Sequence, residues 1–597
     1  MEKTKCLISI LNKLKTSSKE AVEGTDKFSD FKDYMHVDRE VQTEFEGLIK
    51  QSNNIDKAQL LLVCGSVGDG KSHLISYFKK NKTKIINNFS IHNDATESLD
   101  PKKTSVETLN DILKDFSDDN IGNNTRKLIL AINLGTLTNF IDSEYGNGFT
   151  RLKKYVENQK ILQQDIGDNK FNKDSYFQCI NFTDFHMYTL TSEGPKSKYI
   201  KDIFDKVFSK QSNNYFYKEY KSACCNGCIN YSRCPIKENY ENLLQDTVKD
   251  SIIQKLIETI VKNKVIISTR ALLNFIYDIL VDSSLDNITE EKLLKKVLKY
   301  NFIDYLKSLT ANIIYDNKDA SNIIASMNII DPLNIRNERI DELLVNLNNT
   351  ERIFDYFKTY VDNNVEHLYY KILVLDENLE IVKKEKLKKD QVELKQYIIR
   401  FFFRITSIMG KKTINIFNDD VYNKYMNYLY NSNRRDRDEM KVLLTFVKKI
   451  VYKWNGPKLQ NGQIHLSIGK NQSKFKVYEN LEFDGIIEGI SSEETTLHKF
   501  INTINLTYQT KNSFEKFVKI NIDYLLFDLM DKVKAGYRPN KSDKNNFINF
   551  VDFVKKVQEY GSYKEKIFFD RKIGNKTRKF ELKIDEYGDY CLVGMEL

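Results

Sequence analysis

Gly65, Ser66, Val67, Gly68, Asp69, Gly70, Lys71, Ser72 and His73 are the residues whose types and spacing point most directly to chemistry. They follow the apolar run Leu60-Leu61-Leu62-Val63-Cys64 and precede a helical pattern of Leu74, Ile75, Tyr77 and Phe78. A strand that runs into G-x-x-x-x-G-K-S and then into a helix is the context a phosphate-binding loop requires. Gly65 and Gly70 let the backbone bend until its amides form an anion nest, and the new helix aims its positive end at the same point. In that setting Lys71 reaches the β- and γ-phosphates as a catalytic residue, and Ser72 holds Mg²⁺. The expected ligand is a nucleoside triphosphate with Mg²⁺.

Hydrolysis needs a further carboxylate to complete the metal shell and orient water. The apolar strand 127–132 ends in Asn133-Leu134-Gly135 instead of an acidic pair. Asn133 can bond a metal-bound water through its amide but cannot act as a base. Asp94 and Glu97 follow a predicted strand over 85–92 and can stand beside the γ-phosphate as catalytic groups, and Asp184 follows another strand end and can serve the metal. Each also reads as a helix cap or turn residue. Arg270 opens a helix after Val265-Ile266-Ile267, which suits a γ-phosphate sensor; a salt-bridged surface arginine reads equally well there.

Cys224, Cys225, Cys228 and Cys234 crowd one short stretch. A C-x₂-C with two further thiols supplies four soft ligands for a zinc ion, with an iron–sulfur cluster or free redox thiols as the alternatives. The adjacent pair Cys224-Cys225 suits a single ion awkwardly. The cluster is expected to staple an insertion.

These residues need a frame. Strands expected at 60–64, 85–92, 127–135 and 176–182 alternate with helical patterns, which predicts an α/β fold: a P-loop NTPase core with a parallel, AAA-like sheet. The expected domains are a core with an N-terminal helical extension over 1–223, a cysteine-rich insertion over 224–250, a helical lid and middle domain over 251–450, and a C-terminal α+β domain over 451–597. Runs 566–572 and 578–584 predict a hairpin.

At 597 residues the chain is too long for one core. The net charge of +9 permits a polyanionic partner without requiring one. Residues 434–458 carry eight Lys/Arg against three Asp/Glu, and 561–580 carry seven against two, both interleaved with aromatics. Such stretches can follow a phosphate backbone, although solvated helix and hairpin faces account for them more readily. No apolar run is long enough to cross a bilayer. Eight cysteines, four of them bunched, fit a reducing, cytoplasmic setting. No nuclease, protease or transferase motif is present.

The loop Gly65–Leu74, with Asn93-Asp94-Ala95-Thr96-Glu97-Ser98, Ala131-Ile132-Asn133-Leu134-Gly135 and Arg270-Ala271-Leu272-Leu273-Asn274-Phe275-Ile276, resembles the DptF family over roughly residues 40–285. These are the ATPase-like components of bacterial DNA phosphorothioation-dependent restriction systems. The resemblance implies ATP use, DptG- and DptH-like partner subunits, action on DNA that lacks the sulfur-for-oxygen modification, and no cutting centre in this subunit. A homo-oligomer is compatible with it. The alternatives are a regulatory nucleotide-switch NTPase that works through protein partners and a DNA translocase or helicase subunit.

Overall fold

The structure is a computed structural model that describes residues 6–20, 30–66, 68–93, 103–162, 170–225, 228–350, 352–362, 389–411, 414, 416–460, 462–466, 475–510, 516–573 and 576–595. Two compact units divide it: residues 1–189 with 195–418, and 190–194 with 419–597.

The first unit is built on four parallel strands: β1 (Gln59–Gly65), β2 (Ser90–His92), β3 (Lys127–Asn133) and β4 (Phe177–Asn181), in spatial order β2-β3-β1-β4. Every residue of β1 is buried. Its unbroken apolar run is what a strand covered on both faces needs. Leu60, Leu62 and Cys64 pack with Leu128, Leu130 and Ile132 against α6 (Ser105–Leu113), α7 (Leu134–Asp142) and α8 (Thr150–Asn158). Leu61 and Val63 pack with Ile129 and Ala131 against α3 (Glu40–Asn53) and α4 (Lys71–Asn81). Burying each such Leu, Ile or Val contributes about 1.5–3 kcal/mol relative to exposure.

The chain passes from β3 to β4 across β1, so the strand order reverses around β1. Crevices at such a reversal, on the carboxyl edge of the sheet, are where parallel sheets hold ligands. The register sets Gly65 beside Asn133 and Cys64 beside Asn181 on that edge.

The strand expected over 85–92 is shorter than its apolar content implies. Ile85 and Ile86 lie in a helical turn, α5 (Thr83–Ile86), and only Ser90–His92 pair with β3. Ile86 and Phe89 are three apart and both bury against the α3 side of the sheet, a helical spacing that overrode the strand reading.

Helices α1 (Leu7–Glu20) and α2 (Asp30–Tyr34) precede the sheet. After it come α9 (Lys198–Phe208), α10 (Tyr215–Cys225), α11 (Pro235–Leu243), α12 (Asp246–Asn263), α13 (Thr269–Asp278) and α14 (Glu290–Leu298). Further helices continue to Met409.

In the second unit an antiparallel sheet runs in the order 590–595, 576–584, 562–573, 475–481, 463–465, and a second joins 517–522, 504–510 and 483–486. The 562–573 and 576–584 strands pair in the expected hairpin, with Phe569 opposite Phe580. The long segment of this unit begins at Asp419, upstream of the boundary expected at 450, because helices Asp420–Arg434 and Arg437–Trp454 pack on its strands. The Tyr508 hydroxyl donates to the Leu444 carbonyl at 3.0 Å, the Tyr452 hydroxyl to Leu481 at 2.8 Å, and Lys448 pairs with Asp484 at 2.7 Å. Among the described residues no helix is long and apolar enough to cross a membrane.

Candidate functional site

β1 ends at Gly65, and the chain turns through the loop into α4. An added Cβ at Gly65 would meet the Asp69 carboxylate at 2.8 Å and the Phe182 Cβ at 2.9 Å, so the turn is tight enough to exclude a side chain. Gly68 and Gly70 adopt φ of +87° and +96°, values that L-residues with side chains rarely take. The loop is braced from within. The Ser66 amide donates to Asp69 Oδ2 at 2.5 Å, and Lys71 Nζ donates to the Ser66 carbonyl at 2.6 Å. Burial raises the Asp69 pKa, while the Ser66 amide and the nearby Lys71 and Arg39 charges oppose the rise.

Gly68, Gly70, Lys71, Ser72, His73 and Arg270 line one cavity of about 480 Å³. Arg270 reaches it because the Ser268 hydroxyl caps α13, accepting from the Ala271 amide at 3.1 Å, and directs the first turn at the loop. The approach is close: a Cβ on Gly68 would stand 3.0 Å from the Ser268 Cβ. Among the described residues no carboxylate pairs with Arg270. Two helix N-termini, of α4 and α13, thus converge with the Lys71 and Arg270 side chains on one void. That arrangement concentrates positive potential for an anion.

The same cavity recruits residues that the sequence reading did not single out. Arg39 donates to the carbonyls of Asp69 at 3.3 Å and Phe185 at 3.1 Å, and stacks over the Tyr199 ring at 4.8 Å. Tyr199 in turn bonds Thr269 at 2.7 Å, joining α9 to α13. His36 Nδ1 lies 3.0 Å from His73 Nε2, and the His36 ring stacks on Tyr77 at 3.6 Å. Burial lowers the pKa of His36 and takes that of His73 down to about 4. The signal for Arg39 was absent locally, since it lies 26 positions before Gly65 in an unremarkable polar run.

The remaining expected residues distribute unevenly. Asn133 stands beside Gly65 in register, but its side chain caps α7, accepting from the Thr136 amide at 2.7 Å. Asp184 is buried after β4, accepting from Asn181 at 3.3 Å, and is not part of the cavity wall. Val67, Asp94 and Glu97 lie outside the described residues.

Cys224, Cys228 and Cys234 line a second cavity, of about 240 Å³, and the fourth thiol there is Cys6. Cys225 ends α10, and its side chain lies outside the described set. The expected ligand quartet therefore gains a member that the spacing of the cluster could not reveal.

In the second unit, Arg437, Lys441, Lys449, Lys453 and Lys458 line a groove of about 1880 Å³ that also exposes Phe446 and Tyr452. Arg434 and Arg435 do not line it: Arg434 donates to the Ser492 carbonyl at 3.1 Å, and Arg435 packs against Gly489. In the basic hairpin the charges interleave with acids, Lys579 facing Asp570 across the strands and Lys566 lying 3.7 Å from Glu581.

Fold and loop together set a cation-lined cavity at the carboxyl edge of a parallel α/β sheet. No family model, curated protein or solved structure matches the chain.

Proposed function

We propose that the first unit is a P-loop, AAA-like ATPase core and that the chain is the ATP-binding and hydrolysing subunit of a multi-protein DNA restriction system. The observation that carries the reading is the convergence of Gly68, Gly70, Lys71, Ser72 and Arg270 on one cavity at the point where the strand order reverses. In this reading the loop amides and Lys71 hold the β- and γ-phosphates, Ser72 contributes a ligand to Mg²⁺, and Arg270 reports the γ-phosphate to α13. Glu97 orients the water, and Asp94 is the second catalytic carboxylate. ATP and water go to ADP and phosphate, the proton passing to the carboxylate.

The basic groove of the second unit supports a DNA partner, since cations spaced along a groove with aromatics among them can follow a phosphate backbone. Action on DNA lacking phosphorothioates beside DptG- and DptH-like subunits follows from the family resemblance. A regulatory switch that acts through proteins alone would share the nucleotide site and lack the DNA dependence.

The test is ATP turnover of the full chain with and without duplex DNA, alone and with its operon partners, in wild type and Lys71→Ala. Turnover that rises with DNA and vanishes in the variant supports the reading. Turnover indifferent to DNA, with normal restriction of unmodified plasmid by cells carrying Lys71→Ala, would overturn it in favour of the switch.

A further inference from the structure

The cysteine cavity is assembled from two distant parts of the first unit, the start of α1 and residues 224–234. Cys6 immediately precedes α1, Cys224 lies in the last turn of α10, Cys228 opens the turn that follows, and Cys234 immediately precedes α11. All four thiols are free and all four line the same void of about 240 Å³. We propose that Cys6, Cys224, Cys228 and Cys234 form a tetrathiolate zinc site that clamps the N-terminal helix to the rest of the unit.

Four soft donors around one small cavity match the ligand number and type of a structural zinc centre. The backbone is arranged for thiolates as well. Cys6 and Cys234 each stand at the start of a helix, with the amides of Leu7 and Ile8 on the first sulfur and those of Ile236 and Lys237 on the second. Amides at a helix N-terminus favour an anion, so two of the four ligands are met by pre-aimed dipoles. The turn between them is ordered by bonds from the Tyr231 amide to the Cys228 carbonyl at 3.1 Å and from Arg233 to Asn230 at 2.9 Å. Asn230 ties that turn to α14 through the Leu294 carbonyl at 2.9 Å.

A divalent ion lets four thiolates share one void, because it stabilises their charges together. Lys237 in the cavity wall offsets part of the excess negative charge, and Glu290 opposes it. Among the described residues no three candidate ligands stand in closed metal geometry. Binding therefore draws the thiols inward, and Cys6, Cys228 and Cys234 lie outside helices, where backbone can shift without breaking a ladder.

The clamp has a consequence for α1. That helix packs along α13, with Lys15 pairing with Asp286 at 2.5 Å and sitting over the Tyr277 ring at 5.1 Å. Fixing Cys6 fixes the start of α1 against the helix that carries Arg270.

Metal analysis of the full chain purified without added zinc tests the proposal. Wild type and Cys225→Ser are expected to carry about one zinc per chain, and Cys6→Ser and Cys234→Ser well below half of that. Because a ligand variant can misfold, wild-type protein depleted by mild chelation is also titrated with Co²⁺. An intense thiolate charge-transfer band, weaker by about a quarter in Cys6→Ser, counts four sulfurs including Cys6. Hydrogen exchange over residues 7–20 is expected to speed up on chelation. Metal-free wild type with no cobalt band, iron with a visible cluster spectrum, or zinc that is retained in Cys6→Ser and lost in Cys225→Ser would each overturn the assignment.

Discussion

Around the glycine loop, consecutive residues from Gly65 to His73 supply the turn, a cation and the hydroxyl, and Arg39, His36, Tyr199 and Arg270 complete the wall from elsewhere. The cysteine cavity is the reverse: Cys6 comes from the start of the chain and the other three thiols from 224–234. Both sites sit in one compact unit. A site written in a few adjacent residues keeps its shape when a distant element loosens. A site closed by a remote residue depends on the packing of every element between, which makes it the natural place for a tether. Damage to the loop should therefore remove function and spare the fold, and damage to the cysteines should do the converse.

The largest effect is expected at Lys71. Lys71→Ala should lower ATP turnover by about 10²-fold or more while leaving the melting temperature within a degree or two, since the side chain's main described bond is to the Ser66 carbonyl within the loop. Turnover measured beside thermal melts checks both halves. Glu97→Gln should come next, keeping ATP binding and losing about 10²-fold in turnover as a general base would. Equal losses of binding and turnover would give Glu97 a structural role instead.

Gly68→Val probes the contact between loop and α13. Its φ of +87° and the 3.0 Å approach to Ser268 make a branched side chain costly, by about 1–3 kcal/mol, and force α13 away from the loop. Nucleotide affinity should fall by about tenfold, read by calorimetry.

Acid should act through His36 and His73. Burial holds the His73 pKa at about 4, below the unfolded value of about 6.5, so the folded state resists a proton that the unfolded chain accepts. The pair costs nothing above pH 6.5, and stability is lost progressively as pH falls from there toward 4, by up to about 3 kcal/mol. Asp38 and Asp33 pull the other way and Lys32 adds to the loss. Chemical denaturation across this range should slope less in His73→Gln than in wild type.

The smallest effect is expected in the basic groove. Single charge reversals at Arg437, Lys441 or Lys449 should each reduce the salt dependence of DNA binding by roughly one unit of slope. Arg434→Glu should disturb stability more than binding, because that side chain braces Ser492 and lies over Tyr430.

How much of this was legible follows from range. The β1–loop–α4 unit could be read because apolar run, glycines and lysine are adjacent and each has a local physical reason. The parallel sheet was legible from the buried runs of β1 and β3, whose residues point into two cores. Cys6, Arg39 and His36 were not legible, since nothing in their own neighbourhoods marks them, and only tertiary packing delivers them. Asn133 was read as a metal-water ligand from its place at a strand end, yet its oxygen caps α7. The early start of the second unit was hidden because Arg437–Trp454 has the same helical period whichever domain it packs on.

The central claim is that the loop and the first turn of α13 form one nucleotide site. Hydrogen exchange on the full chain, with and without Mg²⁺–ATP, tests it directly. The account predicts protection concentrated at residues 65–74 and 268–273, absent in Lys71→Ala. Nucleotide binding that protects neither segment, or that survives unchanged in Lys71→Ala, would contradict it.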